Sequence, residues 1–211
     1  MKPAILSTLQ DQVGPAHAAL VVVDPQKDFC DSEGAMARVR GLDMSRIQAT
    51  VPALNAFIQT ARREGVFVVW VREVRPENRM LPAHKAIHGV GDARWLIRED
   101  GDGIDWYKGM IKPLPDEPVL TKWDYDAFEN TDFHLMLQSR GILTLLMTGF
   151  ATNVCVETTA RHGYIKGYYI VLVSDCTNAV DPSEYEATLT NIRKYFGKVA
   201  TSAEIAAIWA A

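Results

Sequence analysis

Apolar residues in this chain gather into short, β-branched runs separated by longer stretches with a helical beat. Residues 18–23 read Ala-Ala-Leu-Val-Val-Val, a near-continuous apolar run that predicts a buried strand ending at Asp24. Residues 51–63 place Val51, Leu54, Ala56, Phe57, Ile58 and Ala61 at helical spacing, and Gly65 stops that helix. A second buried strand follows over 66–71. Residues 73–114 are rich in proline, glycine and charge and predict a long irregular segment, which in a compact domain is usually functional. Strands are then expected over 119–122, 142–148, 168–174 and 198–201. The helices between and after them cover 131–140, 158–166, 182–196 and 202–210. Thr131 is the expected N-cap of the first of these, Gly141 is its stop, and Pro182 sits at the first turn of the third.

Strands alternating with helices imply a parallel sheet covered on both faces. The expected fold is α/β, a doubly wound and mostly parallel six-stranded sheet in the order 3-2-1-4-5-6, in a single domain over residues 1–211. Ligands of such sheets bind at the carboxyl ends of the strands beside the point where strand order reverses, here between the first and fourth strands. The first strand ends at Asp24, the fourth leads into Cys155, and the short third strand delivers Lys122 to the same edge.

Cys155 is expected at a strand-to-helix turn, where unpaired backbone N–H groups and the helix dipole favour a thiolate over a thiol. Asp24 can take the thiol proton if burial raises its pKa, and Lys122 can hold that carboxylate in place. Each residue also has a plain reading: a small buried cysteine, an acid capping a loop, a solvated lysine. Cys30 and Cys176 are the other thiols, and neither falls at a predicted helix N-terminus.

Composition narrows the function classes. The 211 residues carry a formal net charge of −4 and no basic stripe with interleaved aromatics, so no nucleic-acid partner is expected. No apolar run is long enough to span a bilayer, so no membrane partner is expected, and the first residues lack a signal-peptide core. Three widely spaced cysteines do not suggest a disulfide framework and fit a reducing cytoplasm. The glycine pairs at 89–91 and 101–103 do not link a predicted strand to a helix, and no phosphate-binding loop, serine-nucleophile elbow or zinc-protease motif occurs.

Three motifs in order resemble those of the isochorismatase-like cysteine hydrolases. They are Val22-Val23-Asp24-Pro25-Gln26-Lys27-Asp28-Phe29, then Leu120-Thr121-Lys122-Trp123-Asp124-Tyr125-Asp126-Ala127-Phe128, then Gly149-Phe150-Ala151-Thr152-Asn153-Val154-Cys155-Val156-Glu157-Thr158-Thr159. The resemblance covers residues 18–196. It implies a catalytic triad of Asp24, Lys122 and Cys155, an oxyanion hole built from the N–H groups of Ala151 and Cys155, and a cis Phe150–Ala151 bond. It also implies a thioester mechanism with no cofactor or metal, and a homo-oligomer, dimer or tetramer, acting on a small-molecule substrate.

Isochorismatases proper lack this cysteine, so Cys155 points to C–N hydrolysis. The segment from Ala151 to Gly163 looks most like the ureide-cleaving branch, which includes ureidoacrylate, biuret and triuret amidohydrolases. Such flat, polar substrates need polar partners around an apolar floor. The candidates are Gln26, Phe29, Tyr125, Phe128, Thr152 and Asn153. Arg72, Glu73 and Arg75 follow the second strand and either bind a polar end of the substrate or form a charged surface loop. Trp95, Trp106 and Tyr107 either line the pocket or pack the long loop. Alternatives within the family are a nicotinamidase and an N-carbamoyl-amino-acid or maleamate-type amidase. The nicotinamidase metal site needs an acid and a His pair after the second strand, and only His84 and His88, at i, i+4 spacing, stand near. An alternative of another class is a catalytically inactive binding module, against which the intact trio argues.

Overall fold

The computed structural model describes residues 5–88 and 97–211. The glycine pair at 89–91 and Trp95 lie outside them. Six strands form one parallel sheet: β1 (Ala18–Val23), β2 (Phe67–Glu73), β3 (Val119–Lys122), β4 (Thr144–Phe150), β5 (Tyr169–Asn178) and β6 (Gly197–Ala200). Their order is β3-β2-β1-β4-β5-β6, which is the 3-2-1-4-5-6 arrangement expected from the sequence.

The central strands β1 and β4 are buried at every position, which is why they read as unbroken apolar runs. Alternate side chains feed two cores. Ala18, Leu20, Val22 and Trp70 face a core closed by α4 (Ser45–Arg63) and α9 (Ser202–Trp209). Ala19, Val21, Val23, Val69, Val71 and Leu120 face the other. That second core is closed by α6 (Phe133–Ser139), α7 (Glu157–Ile165) and α8 (Pro182–Asn191), and Cys155 belongs to it.

Several element boundaries differ from those expected from the sequence. Helix α4 begins at Ser45, six residues earlier than expected, and Pro52 lies inside it. The apolar spacing that marks this helix runs from Val51, and about two turns of helix, residues 45–51, precede Pro52. Helix α6 begins at Phe133, because Thr131 Oγ1 accepts from the Phe133 N–H while donating to the Ala127 carbonyl. The segment 182–196 is α8 followed by a π-helical turn, Ile192–Phe196.

The segment 73–114 is not structureless. Its described part holds the end of β2, a 3₁₀ turn at Glu77–Arg79, α5 (Pro82–His88), a second 3₁₀ turn at Asp102–Ile104, and a bridge from Trp106 to Gln26. Short helices α1 (Leu9–Gln12), α2 (Lys27–Cys30) and α3 (Ala35–Arg40) are each too brief for a helical period to show in sequence. Among the described residues no helix is long and apolar enough to cross a membrane.

Gly149, near the end of β4, is required by two independent features. Its φ is 99°, and a Cβ there would lie 2.0 Å from the Val23 carbonyl oxygen on β1. The two central strands meet at this point, pair Val23 with Gly149, and carry Asp24 and Ala151 just beyond. Gly149→Ala is expected to destabilise the fold by about 3 kcal/mol through clash and backbone strain. Chemical denaturation measures it, and a loss well under 1 kcal/mol would show that the β1–β4 contact is softer than this geometry allows.

Candidate active site

Four strand ends build the site. Asp24 follows β1 at φ 49°, a left-handed conformation that aspartate tolerates better than most residues, with its N–H bonded to the Val71 carbonyl. Glu73 and Lys122 are register partners on the adjacent strands β2 and β3, so their side chains leave the same face of the sheet. Cys155 sits in a π-helical turn, Thr152–Val156, between β4 and α7, and the Phe150–Ala151 bond before that turn is cis.

All of these groups are buried. Asp24, Glu73 and Lys122 have no exposed surface, and Cys155 keeps 4%. Lys122 Nζ lies 2.8 Å from Asp24 Oδ2 and 2.8 Å from Glu73 Oε2. The contact to Asp24 is an ion pair by distance. The aligned hydrogen bonds of the ammonium go to Glu73 Oε2 and, at 2.7 Å, to the Asp124 carbonyl. By the same measure neither Asp24 oxygen nor Glu73 Oε1 has an aligned donor among the described residues, and their pairings with Lys122 and Arg75 rest on distance. Cys155 Sγ is 3.5 Å from Glu73 Oε2 and donates to it. The sulfur, an Asp24 oxygen and a Glu73 oxygen all lie within 4.8 Å of one another. Three such donors could bridge a metal ion, but the Lys122 ammonium already stands against both carboxylates and supplies the positive charge.

The two acids sit in different electrostatic surroundings. Burial pushes the Asp24 carboxyl up to about 6; Lys122 opposes this and the neighbouring Glu73 charge adds to it. Burial acts on Glu73 in the same direction, yet Lys122 and Arg75 outweigh it and hold its carboxyl below the usual range. Lys122 loses solvation, but the anions around it keep the ammonium firmly protonated. Cys155 is pushed well above a normal thiol, first by burial and then by Asp24 and Glu73, with Lys122 opposing. The expectation that its place before a helix favours a resting thiolate is therefore corrected. With both carboxylates ionised, the resting form is the thiol.

Other residues singled out in the sequence are placed as follows. Gln26 is buried and its amide is engaged in the scaffold: Nε2 donates to the Glu73 and Ile104 carbonyls, and Oε1 accepts from the Glu73 N–H at 2.7 Å. It clamps the end of β2. Thr177 gives its hydroxyl proton to the Gly149 carbonyl, so Thr152, 2.7 Å away, is the donor in the Thr152–Thr177 bond. Phe128 is taken up by an aromatic cluster with Phe133, His162 and Tyr168 in the second core. Phe29 packs beside Ala35, Met36 and Ile97. Asn153 bonds the Glu184 carboxylate at 2.9 Å. Tyr125 adjoins the charged group through the Arg75 guanidinium, 5.3 Å from its ring centre.

Trp106 and Tyr107 pack on the first core, Trp106 edge-on to Trp70. His84 pairs with Asp124 at 2.9 Å, and the side chain of His88 lies outside what is described. Cys30 and Cys176 are fully buried in the first core, the one opposite Cys155.

Glu73 and Arg75 are buried members of the charged group, linked at 2.6 Å, and not a charged surface loop. The sequence carried a signal for Glu73. Extending the alternation Val69, Val71 by one more step puts Glu73 on the face that carries Leu120 and Lys122.

Comparison with known proteins agrees with this architecture. Residues 18–204 match the family model described as the isochorismatase domain. Ureidoacrylate amidohydrolase RutB of Enterobacter sp. (strain 638) is 31% identical over 203 residues, covering 90% of this chain and 88% of that protein. RutB of Pseudomonas savastanoi pv. phaseolicola is 32% identical over 205 residues, covering 89% and 81%. Among solved structures, a cysteine hydrolase from Pseudomonas syringae pv. phaseolicola shares the fold at a TM-score of 0.84 and 24% identity, over 100% of this chain and 99% of that one. N-carbamoylsarcosine amidase from Thermoplasma acidophilum aligns at a TM-score of 0.69 and 27% identity, over 88% and 96%. The matched span runs from β1 into α9 and takes in every strand that contributes to the charged group, and the chain belongs to the isochorismatase family of hydrolases.

Proposed function

We propose that this chain is a cysteine amidohydrolase that cleaves a C–N bond of a small ureide or carbamoyl compound, with Cys155 as nucleophile, Asp24 as proton carrier and Lys122 as their electrostatic anchor. The observation that carries the reading is the single buried cluster in which the Cys155 sulfur meets two carboxylates and the Lys122 ammonium. Similarity to ureidoacrylate amidohydrolases over most of the chain supports the ureide class.

The steps follow from the two acids. Glu73 is paired twice and is a poor base, whereas Asp24, pushed up to about 6, is matched to proton transfer near neutrality. Asp24 accepts the Cys155 proton as the sulfur attacks the carbonyl carbon. The carbonyl oxygen becomes an oxyanion held by the N–H groups of Ala151 and Cys155. Collapse breaks the C–N bond, and the leaving nitrogen takes the proton from Asp24, which leaves the acyl group on sulfur as a thioester, or a thiocarbamate for a ureide. Water then gives a proton to Asp24 and attacks the same carbon. Cleavage of the C–S bond returns the acid and, with that proton, the thiol. The route calls on no cofactor.

Ammonia release from biuret, triuret, a ureidoacrylate analogue, an N-carbamoyl amino acid and nicotinamide tests the reading. Turnover is expected from at least one ureide and not from nicotinamide, with kcat/KM in the enzymatic range of about 10⁴ M⁻¹s⁻¹ or above for the best substrate. Release from none of them, together with a Cys155 inert to iodoacetamide, would instead support a binding module.

A further inference from the structure

One buried ion pair at the site takes no step in the proposed reaction. Glu73 Oε1 meets Arg75 Nε at 2.6 Å, and Glu73 Oε2 meets Lys122 Nζ at 2.8 Å. The backbone of Glu73 is fixed as well, since the Gln26 amide bonds both its N–H, at 2.7 Å, and its carbonyl, at 2.8 Å. Glu73 thus has a cation against each carboxylate oxygen and a fixed backbone, while Asp24 shares the Lys122 ammonium with it.

During the reaction the negative charge beside Lys122 moves. It starts on Asp24, passes to the Cys155 sulfur, then to the substrate oxygen, and returns. A fully buried ammonium left without a fixed anion is strongly disfavoured and would shift or lose its proton. Glu73 is the anion that does not move.

We propose that Glu73 is a positioning residue for the hydrolysis: it holds the Lys122 ammonium in place and charged while Asp24 passes through its neutral form, and Arg75 and Gln26 hold Glu73. The proposal rests on the reading of Asp24 as proton carrier. It also explains how two carboxylates share one ammonium without sharing one role. The acid with the second cation stays ionised, and the proton lands on the other.

The test follows alkylation of Cys155 by iodoacetamide between about pH 5 and about pH 9. Peptide mass spectrometry separates Cys155 from Cys30 and Cys176, so the readout needs no substrate. The folded wild-type protein is expected to show a rising limb near pH 6, the value of Asp24. Glu73→Gln removes a negative charge beside Asp24, so its limb moves to lower pH, and kcat on a cleaved ureide falls about tenfold to a hundredfold with little change in KM. Arg75→Gln removes a positive charge, so its limb moves to higher pH. Asp24→Asn loses the limb. If Glu73→Gln does not fold, Arg75→Gln carries the test.

An unmoved limb in both variants, or shifts of the same sign in both, overturns the proposal. Loss of the limb in Glu73→Gln as complete as in Asp24→Asn also overturns it, and makes Glu73 the base. Opposed shifts without hydrolysis of any compound in the panel would keep the positioning role and remove the assigned substrate class.

Discussion

Cys155→Ser is expected to lose at least about a thousandfold in kcat on any ureide the wild type cleaves. An alcohol is a far weaker acid than a thiol, and Asp24 at about 6 has too little basicity to take its proton. The exchange replaces sulfur by a slightly smaller oxygen in a site 4% exposed, and the hydroxyl can still donate to Glu73. Stability should therefore change by less than about 1 kcal/mol. Three measurements separate chemistry from folding: initial rates, a thermal melt, and calorimetric titration with the substrate. The expected result is an inactive, folded protein that still binds. A variant with near-wild-type turnover would remove covalent catalysis by this residue. Lost activity accompanied by a lowered melting temperature would point to a damaged fold.

The topology was legible because it rests on burial. Strands such as β1 and β4, covered on both faces, must be apolar at every position, and their carboxyl ends then locate Asp24 and Cys155 without further information. Lys122 was legible for the same reason, as the last residue of a short strand. The rest depended on contacts between segments far apart in sequence. Glu73-Val74-Arg75 reads the same in water as in a core, and only the register of β2 on β3 shows that Glu73 faces Lys122.

The role of Gln26 had a similar origin. Its amide could have served a substrate, until the 73–105 segment proved to supply three of its backbone partners. Phe128 follows the Lys122 motif closely in sequence, yet its ring turns to the aromatic cluster beneath α7. Helix α4 shows a different limit: the dense apolar spacing begins at Val51, and the turns before it are held by the burial of Ile47 in the first core.

The second large effect belongs to Lys122. Lys122→Met keeps the length and apolar stem of the side chain but leaves Asp24 and Glu73 side by side without their shared ammonium. Activity should be lost, and stability near pH 8 should fall by about 3–5 kcal/mol, the usual cost of stripping one partner from a buried ion pair. For a chain of this size that lowers the melting temperature by roughly 10 °C.

The pH dependence has a definite sign. Asp24 is already raised from 3.8 to about 6 in the wild type, and without the ammonium it moves higher still. A carboxyl raised on folding contributes stability that is complete below its unfolded value and is lost as pH climbs through its folded value. The deficit of the variant should accordingly be large near pH 8 and shrink toward about pH 5, where Asp24 becomes neutral and only Glu73, still paired with Arg75, keeps its charge. Melting curves of both proteins at the two pH values measure this. An equal deficit at both would mean that Lys122 acts through packing alone and that Asp24 is not the group through which the site takes up its proton.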